Sequence, residues 1–263
     1  MTAILKQEIK LNFKGLLIWM LSVGGLGYIC TLMYQSMEGD IASMADSFSN
    51  MGAFSDAFGM STLSISTLAG FFATEVGTVH GLGSVMYAAF LASCILSKEE
   101  DGHTGEFLYS LPVSRWKVVT AKALCVVFNL LVFTVFCGAC YVLGFVCLNE
   151  EVLWEELIRF LASMFFMNIE VAAIALFVSA LSTRNRMGIG LGLALMIYAC
   201  DLICRVVPSL KDYLFLEPMS FSNASEIFAG KDVPEYSIAV AVIVTIAAIA
   251  AAYTSYLKRD LAS

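Results

Sequence analysis

Few residues in this 263-residue chain have the type and setting to do chemistry. Glu170 is the most conspicuous, a carboxyl in the middle of a long apolar run, two residues after Asn168. An ionisable group at that depth in a membrane costs at least about 2.5–3.5 kcal/mol, so by default it marks function. It either lines a path for a polar or cationic substrate, together with Asn168, or is hydrogen-bonded and fixes helix packing. Asp201 and Arg205 stand four apart, and an internal i,i+4 ion pair explains them without any function. Eight cysteines are present, nearly all in apolar runs where cysteine behaves as a small hydrophobe. Cys137 and Cys140 form a C-x-x-C without a second pair or a nearby histidine, too few ligands for zinc. His80 and His103 are the only histidines and fall at opposite ends of the second apolar run, so they cannot share a metal. The sequence contains no G-x-x-x-x-G-K-[ST], no H-E-x-x-H and no G-x-S-x-G. An intramembrane enzyme would need convergent catalytic groups, and Glu170 stands alone.

The elements that must hold these residues are apolar throughout. Hydrophobic residues make up 59% of the chain and charged ones 14%, against about 45–50% and 25% in soluble domains. A chain this short cannot hide that much apolar surface in its own core, so its solvent is lipid. The net charge of −7 argues against a nucleic-acid partner, which would want a basic face. Six segments reach the roughly 20 residues that a membrane-crossing helix needs: 15–34, 76–97, 118–148, 157–181, 187–207 and 237–257. The first is followed by no small-residue cleavage pattern and is expected to be an uncleaved anchor. No Gly/Ser/Pro-rich linker interrupts the chain, so residues 1–263 are expected to form a single transmembrane domain. The expected fold is an all-α integral membrane bundle of six transmembrane helices.

Basic residues orient it. Lys6, Lys10 and Lys14 precede span one; Lys98, Arg115, Lys117 and Lys122 lie in or beside the loop after span two. Arg184 and Arg186 separate spans four and five, and Lys258 and Arg259 follow span six. Only Arg159, Arg205, Lys211 and Lys231 are left for the other side. The positive-inside rule then puts both termini in the cytoplasm, as an even number of spans requires. Residues 1–14 alternate Ile4, Leu5, Ile9 and Phe13 with the lysines. They are expected to form an amphipathic helix in the cytoplasmic interface, unless they are only a basic flank. On the outer side, Ile41, Met44, Phe48, Met51, Phe54 and Phe58 recur at helical spacing. That segment, 41–58, is expected to lie on the membrane surface or cap the bundle. Residues 208–236 read as a mixed polar loop with a short helix near 218–228.

The most informative stretch is the polar loop 98–117, K-E-E-D-G-H-T-G-E-F-L-Y-S-L-P-V-S-R-W-K. Glu99, Glu100 and Asp101 come as span two leaves the bilayer. Thr104 is placed to cap a short helix whose first turn contains Glu106. Phe107, Leu108 and Leu111 share one side of that helix, and Pro112 ends it. Arg115 and Lys117 then return the chain to the interface. The result is an apolar patch held off the membrane by charges at both ends, available to a cytoplasmic partner.

This loop resembles that of type-2 ATP-binding-cassette (ABC) permeases. These carry a glutamate-rich stretch after the second span, then a threonine and glutamate, an S-L-P-V-S-R run and a lysine in the next helix. The matching residues are Glu100, Thr104, Glu106, Leu108, Ser110, Leu111, Pro112, Val113, Ser114, Arg115 and Lys122. The interfacial first helix, long first outer loop and six spans fit as well, so the resemblance covers essentially the whole chain. It implies that Glu99–Arg115 forms a coupling helix that docks on a separate cytoplasmic ABC ATPase. It also implies a second permease, identical or related, in a bacterial cytoplasmic membrane, driving export. No cofactor would bind this chain; ATP and magnesium would sit on the partner. The competing expectation is a secondary transporter driven by an ion gradient through Glu170.

Overall fold

The computed structural model describes residues 1–49, 51–104, 113–184 and 186–258, of which residues 38, 42–44 and 46–49 are described by their backbone alone. The described residues form helices and connecting turns. They are α1 (Thr2–Ser49), α2 (Ala53–Phe58), α3 (Leu68–Phe71), a π-helical turn (Phe72–Val76), α4 (Gly77–Ile95) and α5 (Lys98–Asp101). After these come α6 (Arg115–Cys147), α7 (Trp154–Leu181), α8 (Met187–Val206), a 3₁₀ segment (Pro208–Leu216), α9 (Ala224–Phe228) and α10 (Ser237–Lys258). Six stretches are long and apolar enough to cross a membrane: Thr2–Met37, Leu68–Ile95, Arg115–Cys147, Trp154–Leu181, Met187–Val206 and Ser237–Lys258. The fold is an all-α membrane bundle.

The first helix differs from its expectation. Residues 2–14 are not a separate helix lying in the interface; they continue without a break into span one. No proline interrupts α1, and its one glycine cluster, Gly24, Gly25 and Gly27, lies well past residue 14, so nothing forces the chain to turn where the interfacial helix was expected to end. Glu8 also anchors this stretch inward, because Glu8, Leu16 and Met20 continue one buried stripe at helical spacing. At 1.5 Å per residue, 48 residues span about 72 Å, far more than the roughly 30 Å hydrocarbon core. The helix therefore projects well past the apolar layer, and its far end takes up much of the segment expected as an independent amphipathic helix. There Ile41 and Ala45 pack with Tyr34, Met60, Ile65 and Phe71 in a small second core.

Close packing follows the glycines. A Cβ on Gly27 of α1 would overlap the Tyr141 ring of α6, and one on Gly190 of α8 would lie 2.8 Å from the Ala89 carbonyl of α4. Neighbouring Gly188 and Gly192 face open space. Small residues bring two helix pairs together here, as they do in membrane bundles generally. Span six is little buried, with only Ser237, Ala252 and Tyr256 of its residues enclosed by the bundle, so most of its Ile and Val side chains are free to meet lipid or another chain.

The chain between spans five and six also departs from its expected character. Met219, Phe221, Ala224, Ile227 and Phe228 are buried, together with Ser220, Ser222 and Ser225. A Cβ on Gly77 would overlap Ala224, and the Phe228 ring lies 5.3 Å from that of Phe72. The polar residues mislead here because they serve the segment's own backbone. Asn223 caps α9 by accepting from the Glu226 N–H at 3.1 Å, and the Ser222 hydroxyl donates to the Met219 carbonyl at 3.2 Å. The short helix expected near 218–228 is present as α9, but the mixed polar loop around it is a plug seated in the end of the bundle away from the N-terminus.

Candidate functional site

Four charged side chains meet where the polar loop leaves and re-enters the bundle. Lys122 lies two turns inside α6 and is 0% exposed. Its Nζ donates to both carboxylate oxygens of Glu99 at 2.5 Å and to the Ile95 carbonyl at 2.5 Å. It also lies 3.3 Å from Glu8 Oε1 of α1. The other oxygen of Glu8 accepts from Lys98. Two lysines and two glutamates make a neutral quartet that ties three helices together: α1, the root of the loop after α4, and α6. Asn12, one turn after Glu8, donates to the Glu8 carbonyl at 2.9 Å and faces Cys125.

Burial raises the Glu99 carboxyl above its ordinary range, while Lys122 and Lys98 hold it down. Burial costs the quartet much of its Coulomb gain, so its contribution is geometric more than energetic. Buried ion pairs replaced whole by apolar groups are often neutral in stability, whereas losing one partner is expensive.

The sequence-derived loop residues are distributed around this quartet. Glu100 is buried beside it, whereas Asp101 and Thr104 are exposed. The Thr104 N–H and hydroxyl both donate back to the Glu99 carbonyl, at 2.8 and 3.3 Å. His103 takes a positive φ of 53° at that turn, next to Gly102. Arg115 opens α6 after an extended Ser114. Glu106, Phe107, Leu108, Leu111 and Pro112, and with them the expected coupling helix, lie outside the described residues. Glu8 was missed by the sequence reading, although the i,i+4 stripe through Asn12, Leu16 and Met20 marks it.

A second charged group lies toward the other end. Arg205 Nε donates to Asp201 at 2.9 Å, as the i,i+4 spacing predicts, and its Nη1 to Glu226 of α9 at 3.1 Å. Arg205 thus pins the plug to span five. Glu217 is pushed up to about 7, mainly by burial and then by Asp201, with Arg205 opposing. Glu170 is 2% exposed, and its Oε2 has no hydrogen-bond partner among the described residues. Both polar atoms of Asn168 are likewise unpartnered among them. Two residues along a helix turn a side chain about 200°, so Asn168 and Glu170 do not share a face. Glu170 lies instead within electrostatic reach of Glu217, a residue the sequence reading left out.

A model of the ABC-2 family transporter proteins matches residues 2–261. The chain belongs to this ABC-2 transporter family. A comparison with curated proteins returns no match. Family membership makes the protein a membrane permease subunit of an ABC transporter. Such subunits generally lack an ATPase site and work with an ABC ATPase partner, often as dimers. The sequence of this permease contains no phosphate-binding loop.

Proposed function

We propose that the permease couples ATP hydrolysis by a separate cytoplasmic subunit to export of a substrate, through the loop 98–117. Both termini and the quartet lie in the cytoplasm in this reading, and residues 99–115 contain the coupling helix. ATP and magnesium stay on the ATPase, and a second permease, identical or related, completes the pathway across a bacterial cytoplasmic membrane. The supporting observation is the quartet itself. A push on the loop root at Glu99 acts on Lys122, and through it on span three and, via Glu8, on span one. Glu170 is the in-membrane carboxyl on the path, and Glu217 is a second carboxyl within its electrostatic reach.

Co-expression with the cognate ATPase tests the reading. The permease should co-purify with it, and Asp101→Lys combined with Glu106→Lys should weaken that complex while leaving the permease folded. Transport that persists with no ATPase present would overturn the proposal.

A further inference from the structure

A small cavity lies under the plug, at the end of the bundle away from the quartet. It offers about 40 Å³ to water-sized molecules, and its polar lining comes from Thr78 of α4, Tyr198 and Asp201 of α8, and Ser222, Asn223 and Ser225 of the plug. Phe58 of α2 also borders it. At roughly 10–15 Å³ per occupant this is room for about three waters or one small ion with company.

The lining is rich in acceptors. Asp201 is 4% exposed; its Oδ2 accepts from Arg205, but Oδ1 has no hydrogen-bond partner among the described residues. Arg205 also has an unpartnered Nη2, yet it is not one of the residues lining the cavity. The Ser222 hydroxyl donates to the Met219 carbonyl at 3.2 Å, and the Ser225 hydroxyl to the Phe58 carbonyl at 3.4 Å. Hydroxyls that donate outward keep oxygen lone pairs for a ligand. Arg205 answers Asp201 and Glu226, and Glu217 adds a third carboxyl close enough to feel Asp201. Lys231 reaches Thr62 instead, at 3.2 Å. Among the described residues, Asp201 is the one charged residue that lines the cavity, and because a buried carboxylate oxygen without a donor is costly, the cavity favours a positive guest that can donate to it.

We propose that this cavity binds a monovalent cation of ammonium size on Asp201 Oδ1, either as a free ion or as the terminal ammonium of a longer molecule. Such a guest would bridge span five to the plug and hold the plug in its seat.

The test uses the full chain in lipid nanodiscs without nucleotide, so its outcome is independent of coupling to an ATPase. Thermal unfolding is followed at constant ionic strength in ammonium, methylammonium, butylammonium and tetramethylammonium chloride. Saturating ammonium or methylammonium should raise Tm by roughly 3 °C or more over tetramethylammonium, which is too large and has no N–H. A greater effect of butylammonium identifies the end of a longer molecule as the guest; a greater effect of ammonium identifies a free ion. Asp201→Asn should abolish the shift. Ser222→Val, which fills the cavity and leaves the Asp201–Arg205 pair in place, should abolish it too, and so guards against misfolding of the first variant. Equal Tm in all four salts, or a shift that survives Ser222→Val, would overturn the proposal and leave the cavity to water.

Discussion

Replacing Lys122 with methionine keeps most of the side-chain volume and removes one charge from the neutral quartet. Glu8 keeps Lys98, so the loss falls on Glu99, whose two carboxylate oxygens both rest on Lys122. Lys122 is fully buried, and removing one partner of a buried pair costs about 3–5 kcal/mol. For a chain of this size each kcal/mol shifts Tm by roughly 2–4 °C, so Lys122→Met should lower it by about 6–20 °C. Adding Glu99→Gln removes the stranded charge and should recover most of that loss. The double variant then separates structure from coupling. It should fold, assemble with the ATPase and hydrolyse ATP, yet transport poorly in proteoliposomes, because the loop root no longer grips span three. The reasoning is refuted if Lys122→Met costs less than about 1 kcal/mol, or if the double variant transports at the wild-type rate per ATP.

Other outcomes follow from local geometry. Gly190→Val should cost about 1–3 kcal/mol by forcing spans two and five apart, whereas Gly192→Val, facing open space, should be nearly neutral; paired melting curves decide. Arg205→Leu removes the pin between span five and the plug, and should expose Phe228 and Ala224 to faster proteolysis or cysteine labelling. Glu217 has its folded-state pKa raised to about 7, so the folded protein takes up a proton there that the unfolded chain releases. Its stabilising effect is fully present below about 4.5 and fades as pH rises through about 7. Glu217→Gln should flatten the change in Tm between pH 5.5 and 8.

Much of the fold was legible because apolar runs of membrane-spanning length have few other uses. The exceptions are physical. Glu8 was hidden among Lys6, Lys10 and Lys14, which supplied a sufficient reason for charge at that end. Only its place on the stripe with Leu16 and Met20 reveals it as buried. The loop motif pointed to Lys122, but not to its pairing with α1, since residues 8 and 122 share no sequence signal. The short helix of the plug was legible but its burial was not, because Ser220, Ser222, Asn223 and Ser225 look like surface residues, although two of them satisfy the segment's own backbone. Pairing Glu170 with Asn168 rested on nearness in sequence, which the helix turns to different sides.

The central claim is that force from an ATPase enters through the loop between spans two and three. The most direct measurement places photo-crosslinking side chains at Thr104 and Phe107 in the membrane-embedded complex and maps their targets. The account predicts crosslinks to the ATPase subunit whose yield changes between nucleotide-free and ATP-bound states. A complex that transports with ATP, while neither position reaches the ATPase in any nucleotide state, would contradict it.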